Sequence, residues 1–576
     1  MSIAVKTTST LADVLVRVEA SALSATRRRD MVSAINRICA MARRSLATVP
    51  ADPATLRELV NDIRPALHDV SDKTWANLRS LFVAALELAG VIDSKGRGDA
   101  LDDPEWGPLL ACLTHDKRLS CGLAAFANYC ASRGIGPGAV DDGSVTAFLT
   151  WLETRTLSPK PRDVARRVPN IWNEARVKVA GWPQVTLDCV SFRAAPKRVP
   201  LTGLPQSFRE DLDAYCSMRA SPDIFDDRPG RPRKLLEPGT IRLQREQLHS
   251  AASVLVENGT AVDAVVALAT LVAFENFKTI LRHFHEKADR KASAFLDSLA
   301  RTLIQVAHYH VGLPDEQIAM LKRLKAKLPT VPFDLTTKNK ALIGNLESER
   351  LRAKLLFLPD KLMNLVASDL KDGRVRFVEA QMAAAIAVLL AAPLRAQNLS
   401  TLHWARHFSE PDGPRGRLIL HIPAEETKTR KKDYVAQLPV DVATQLRWYR
   451  AKVMPLLAAD PNGFLFVSKG GGRKTQETIS QQITEALADH VGVHMTPHQF
   501  RHFAAILYLE AHPEDFETVR NLLGHGWSKT TSIYAGSSTR RAGQAYGKAM
   551  MEQRDALKLQ GKGKRPRGGK ERKAEA

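Results

Sequence analysis

The segment Thr496-Pro497-His498-Gln499-Phe500-Arg501-His502 is where residue types and spacing point most directly to chemistry. Pro497 suits the first turn of a helix. On a helix, His498, Arg501 and His502 share one face at i, i+3 and i+4. Downstream, Leu522-Leu523-Gly524-His525 is followed by Thr530-Thr531-Ser532-Ile533-Tyr534, with His525 and Tyr534 nine residues apart. Upstream, Arg395 stands just past an apolar run, in Pro393-Leu394-Arg395-Ala396-Gln397-Asn398-Leu399. Lys428 sits in the turn Thr427-Lys428-Thr429 between two strand-like stretches. Arginine forks bind anionic oxygens, histidine and lysine carry protons, and a tyrosine phenol can act as a nucleophile. Such a set suits reaction at a phosphate.

In this order the residues resemble the catalytic domain of the tyrosine recombinases, or phage integrase family. The resemblance covers about residues 350–550 and rests on the succession Arg, Lys, His-x-x-Arg-His, Leu-Gly-His, Tyr. It implies that Arg395 is the first catalytic arginine and Lys428 the β-hairpin lysine. His498 and Arg501 would be the central pair, His525 the later histidine and Tyr534 the nucleophile. One position departs from the family, which usually carries an acidic residue three positions after the first arginine. Here it is Asn398, which can hydrogen-bond Arg395 but cannot pair with its charge. His502 is expected to support its neighbours, and Tyr546 to pack or to belong to a C-terminal helix.

The resemblance further implies that a tyrosine attacks a DNA phosphodiester, forms a 3′-phosphotyrosyl bond and expels a 5′-hydroxyl, so that rejoining needs no ATP. The phenol, with an ordinary pKa of about 10, must lose its proton; a histidine and a cationic field help. Negative charge on the non-bridging oxygens is met by Arg395 and Arg501. The departing oxygen takes a proton from Lys428, and His525 adds a donor to the phosphate. No carboxylate cluster is required, so no metal and no cofactor are expected. Each residue also has a plain structural alternative: a packed aromatic at a helix end for Tyr534, a helix C-cap for Arg395, a solvated turn lysine for Lys428.

The expected function is a site-specific DNA recombinase or integrase of a mobile element, serving integration, excision or transposition. Its expected partner is double-stranded DNA, bound by a homo-tetramer on two sites, alone or beside other recombinases of the same element. A type IB topoisomerase is the first rival; relaxation of supercoiled plasmid without a specific site would favour it. A non-catalytic DNA-binding regulator of the same fold is the second; loss of core residues would have favoured it.

The elements that must position these residues read as N-terminal all-α blocks followed by an α+β catalytic domain. Apolar spacing predicts helices over 11–23, 30–46 and 72–89, the last capped by Ser71 or Asp72. Residues 1–105 read as an N-terminal helical domain, 106–200 as a second helical block with an amphipathic helix over 144–153, and 201–238 as a Pro/Arg-rich linker. Residues 239–349 read as a helical DNA-binding, or core-binding, domain, with helices over 260–275 and 278–311. The catalytic domain, 350–550, is expected to hold an apolar helix over 377–392 and strands over 417–423, 434–439 and 464–468. Helices follow over 476–490, 497–511 and 514–523, with a short one over 529–535. Residues 551–576 read as a basic disordered tail. Gly470-Gly471-Gly472-Arg473-Lys474-Thr475 lacks the glycine before the lysine that a phosphate loop needs, and reads as a flexible loop.

Composition sets the frame. The 576 residues carry 83 Lys+Arg against 62 Asp+Glu, a net +21, which argues for a polyanionic partner. No apolar run reaches the roughly 20 residues of a membrane span, and residues 1–20 lack a signal-peptide core. The cytosol, at the nucleoid, is the expected location, with no membrane partner. The six cysteines form no C-x-x-C pair and read as small buried hydrophobes in a reducing compartment.

Overall fold

The computed structural model describes residues 9–93, 99–189, 192, 198–221, 225, 235–332, 334–428, 430–457, 460–524, 546–547 and 549–554. The chain divides into two compact units. One is Val190–Phe333; the other joins Met1–Cys189 to Asp334–Ala576.

In the second of these units the helix Phe377–Ala391 is the axis of packing. It has no polar face: residues 380–389 are all buried. Such a helix must be covered all round, and Leu358–Lys371, Val440–Lys452, Gln476–His490 and Pro497–Ala511 cover it. It stops where Ala392 turns extended before Pro393, the backbone a residue preceding proline prefers. Beside this core lies a three-stranded antiparallel sheet in sequence order: β1 (Phe408–Ser409), β2 (Leu418–Ile422) and β3 (Tyr434–Leu438). Leu418, Leu420 and Ile422 alternate into the core, as a half-buried strand requires. Residues 423–433 connect β2 to β3 and begin with a 3₁₀ turn, Ala424–Glu426.

The first 189 residues form helices around two apolar clusters, one over residues 11–92 with Leu157 and one over residues 100–187. They meet the C-terminal part at Asp69, which accepts from the Lys354 ammonium at 2.7 Å and contacts Arg350. Gly492 is required nearby: its φ is +87°, and a Cβ there would collide with Leu67.

Val190–Phe333 is all helical over its described residues, with one core drawn from residues 204–321. The stretch 201–238, expected as a linker, contains the helix Gln206–Ala220. Phe208, Leu212, Tyr215 and Cys216 from that helix are buried in the unit's core. Prolines and arginines at 228–233 dominated the local composition and hid it. The single helix expected over 278–311 is broken: one helix ends at Lys287, the chain turns through Asp289 and Arg290 at positive φ, and another runs Ala294–Val306.

Two further expectations change. Residues 464–468 form no strand; Phe464 and Val467 make single bridges, to His403 and Arg473. Gly471, at φ +82°, folds the segment back so that Ser468 N–H donates to Gly472 O at 2.7 Å, which ends any ladder. Of the cysteines, Cys39, Cys130 and Cys216 are buried, but Cys112, Cys121 and Cys189 are exposed. Among the described residues no helix is long and apolar enough to cross a membrane.

Candidate active site

Four of the six residues singled out in the sequence lie in described segments: Arg395, Lys428, His498 and Arg501. His525 and Tyr534 lie outside the described residues, as does nearly all of the basic tail.

The helix Pro497–Ala511 sets two of the four. Pro497 occupies its first turn. Gln499 Oε1 closes a capping box, accepting from the Thr496 backbone N–H at 2.8 Å and hydroxyl at 3.1 Å. This fixes the helix start, and with it the direction of His498 and Arg501. Arg501 is only 4% exposed. Its Nη1 donates to Pro393 O at 2.8 Å and its Nη2 to Leu523 O. One guanidinium thus ties the end of the central helix to the chain just before Gly524-His525.

Arg395 is the N-cap residue of a five-residue helix, Ala396–Ser400. It is half-buried. Among the described residues its guanidinium has no hydrogen-bond acceptor and no carboxylate. Burial holds its pKa below the usual arginine value, yet a guanidinium stays charged. A desolvated cation without a partner is costly, and an anion placed against it would offset that cost. Arg395 and Arg501 both line a cavity of about 440 Å³, with Tyr434, Lys431, Lys432 and Arg520 among its other walls.

His498 is exposed, with its ring edge-on to His502 at 5.2 Å between centroids. Its pKa lies below the ordinary histidine value through desolvation first, then through the charges of Arg501, Arg395 and Lys428. Those three side chains are therefore within electrostatic reach of His498. A histidine kept neutral by desolvation and by neighbouring cations is suited to accept a proton. Lys428 itself is exposed in the β2–β3 connection.

His502 is placed differently. It is buried, its Nε2 lies 3.1 Å from Asn339 Nδ2, and desolvation, His498 and Arg501 lower its pKa to about 4. Asn339 Oδ1 in turn accepts from Gln499 Nε2 at 2.9 Å. The helix Thr337–Asn345 so braces the start of the His-bearing helix.

One residue of this region escaped the sequence reading. Tyr434, the first residue of β3, lines the cavity; its hydroxyl is buried and has no hydrogen-bond partner among the described residues. Burial, tempered by Arg501, pushes its phenol up to about 12. Its place directly after the lysine-bearing turn was the available signal. Asn398 also behaves unexpectedly. It does not bond Arg395; its Nδ2 donates to Glu426 O at 2.9 Å. Among the described residues no group of three or more His, Cys, Asp or Glu is placed to hold a metal ion.

Residues 361–541 match the model of the phage integrase family. Curated relatives agree with this placement. Tyrosine recombinase XerC of Alcanivorax borkumensis is 32% identical over 122 residues, 20% of this chain and 39% of that protein. Tyrosine recombinase XerC of Agrobacterium fabrum is 32% identical over 175 residues, 30% of this chain and 51% of that protein. The chain thus spans about half or less of the length of these relatives. Among solved structures, the XerH site-specific recombinase bound to its difH substrate in a pre-cleavage complex aligns with 57% of this chain and 82% of its own, at 15% identity and a TM-score of 0.35.

Proposed function

We propose that the chain is a site-specific DNA recombinase that cleaves and rejoins strands through a 3′-phosphotyrosyl bond on Tyr534. The observation that carries this reading is Arg395: a half-buried guanidinium without an acceptor among the described residues, lining the same cavity as Arg501. A scissile phosphate supplies the missing anion. Arg395 and Arg501 then bind its non-bridging oxygens and neutralise the charge that builds there in the transition state. His498, kept neutral, accepts the phenol proton, and Lys428 gives one to the departing 5′-oxygen. His525 adds a donor to the phosphate. The family match over residues 361–541 supports the assignment of these roles.

The substrate is double-stranded DNA, and the working form is a tetramer on two sites. Integration, excision and transposition all follow from the same strand exchange. We place further duplex contacts on the helical region 239–349 and on the basic tail, where lysines and arginines neutralise phosphates with salt-sensitive affinity.

The test is a nicked suicide duplex carrying the end of the element that encodes the chain. Wild type is expected to give an SDS-resistant protein–DNA adduct and Tyr534→Phe none. An unchanged adduct in the Phe variant would sink the assignment. Relaxation of supercoiled plasmid with no site preference would shift the reading to a topoisomerase.

A further inference from the structure

We propose that Asn398 is a positioning residue for proton delivery, holding in register the loop that carries Lys428. The inference rests on the reading of Lys428 given above and deepens it.

The geometry is specific. Asn398 is 8% exposed, and its side-chain N–H donates across 28 residues of chain to the backbone carbonyl of Glu426, two residues before Lys428. Glu426 is gripped a second time through its carboxylate. His407, only 2% exposed, has its Nε2 at 3.1 Å from Glu426 Oε2, and Arg406 contacts the other oxygen. The tautomer of His407 follows from its other nitrogen, since Nδ1 accepts from the His403 backbone N–H at 2.9 Å. The proton is therefore on Nε2 and is donated to Glu426. Beyond Glu426 the loop is closed on itself: Thr427 Oγ1 donates to Ala424 O at 2.8 Å, and Asp433 Oδ1 accepts from Ala424 N–H at 2.9 Å.

The short helix Ala396–Ser400 consequently sets two charges at once. Arg395 is its N-cap, and Asn398 within it fixes the base of the Lys428 turn. A carboxylate at position 398 has no hydrogen to donate and would face the Glu426 carbonyl oxygen with repulsion. An amide is thus what this contact requires, which accounts for the departure at this position.

The chemical consequence is selective. In cleavage, the Tyr534 oxygen forms a bond to phosphorus, the P–O5′ bond breaks, and the 5′-oxygen takes a proton from the Lys428 ammonium, leaving a neutral amine. A loop that slips by an ångström impairs that proton transfer and leaves phosphate binding intact. If the bridging 5′-oxygen is replaced by sulfur, the leaving group departs as a thiolate and needs no proton, because thiols are far stronger acids than alcohols.

The experiment compares suicide duplexes with a 5′-bridging oxygen or sulfur at the scissile position, mapped beforehand from the wild-type adduct. Asn398→Asp and Asn398→Ala are expected to cleave the oxygen substrate about tenfold or more slowly than wild type. They are expected to cleave the sulfur substrate at close to the wild-type rate, as is Lys428→Ala. The ratio of the two rates within one preparation does not depend on how much of it is folded. Equal losses on both substrates, or no loss on either, in the Asn398 variants while Lys428→Ala is rescued would overturn the inference alone. Failure of Lys428→Ala to be rescued would overturn the reading of Lys428 beneath it.

Discussion

The cations of the first 189 residues and those around Arg395 differ in what they face. In the N-terminal region several of them have partners at the surface. Arg155 binds Asp93 through Nε at 2.9 Å and Nη2 at 2.6 Å, Lys178 binds Glu174 at 2.7 Å, and Arg162 binds Glu153 at 3.0 Å. Arg57 Nη2 reaches the carbonyls of Leu152, Glu153 and Thr156, where a helix ends and acceptors are free. Around the cavity, Arg395 is half-buried with no acceptor among the described residues, and Arg501 lines the same walls. The net +21 hints at a polyanion but does not locate its reaction. On the proposed reading, the place is marked by Arg395, a desolvated cation without a hydrogen-bond acceptor among the described residues.

Substitution breaks the comparison most sharply. Arg395→Ala is expected to slow adduct formation about 10²–10³-fold, the usual cost of removing one preorganised donor to a transition-state oxyanion. Thermal stability should hold or rise, since the change removes a desolvated charge without a partner. Arg155→Ala should do the reverse, leaving cleavage untouched and lowering stability by about 0–1 kcal/mol, as exposed pairs do. Suicide-duplex kinetics and thermal melts on both variants check this. Arg501→Ala should lose on both measures, because the same guanidinium binds the carbonyls of Pro393 and Leu523.

A smaller effect concerns pH. Desolvation first, then the cationic surroundings, hold His498 below its ordinary pKa. Its neutral, proton-accepting form therefore persists as pH falls below 6.5 and is lost only at the lowered value. The acid limb of the cleavage profile should lie below pH 6.5 and move upward in Arg395→Ala, where one of the charges depressing it is gone. An acid limb that stays in place would remove His498 from the proton path. The smallest expected effect is that of Tyr434→Phe. Its hydroxyl has no hydrogen-bond partner among the described residues, so cleavage is expected to change by no more than a few fold. A loss as large as that of Arg395→Ala would make it a phosphate ligand.

The parts of this architecture legible in the sequence are those whose signals are local. The helix Phe377–Ala391 announced itself by an unbroken apolar run ending at proline, and Pro497–Ala511 by its proline start. The β2–β3 pair was readable from two short apolar stretches around a lysine-bearing turn. Arg395, Lys428, His498 and Arg501 were named from their order and from the family resemblance, and the fold brings the three cations within electrostatic reach of His498. What was hidden is non-local. Asn398 looked like a poorer partner for Arg395 because its real acceptor lies 28 residues away. The helix Gln206–Ala220 was masked by the prolines and arginines that follow it. Residues 464–468 have strand-like composition, but Gly471 turns them back before a ladder can form.

The central claim is that Tyr534 attacks the phosphate cradled by Arg395 and Arg501. Tyr434 stands in the same cavity, so the identity of the bonded tyrosine is decisive. Trapping the adduct, digesting its DNA to a residual nucleotide and mapping the modified peptide by mass spectrometry reads that identity directly. The account predicts the added mass on the peptide containing Tyr534. The same mass on Tyr434, or on any other residue, would contradict it.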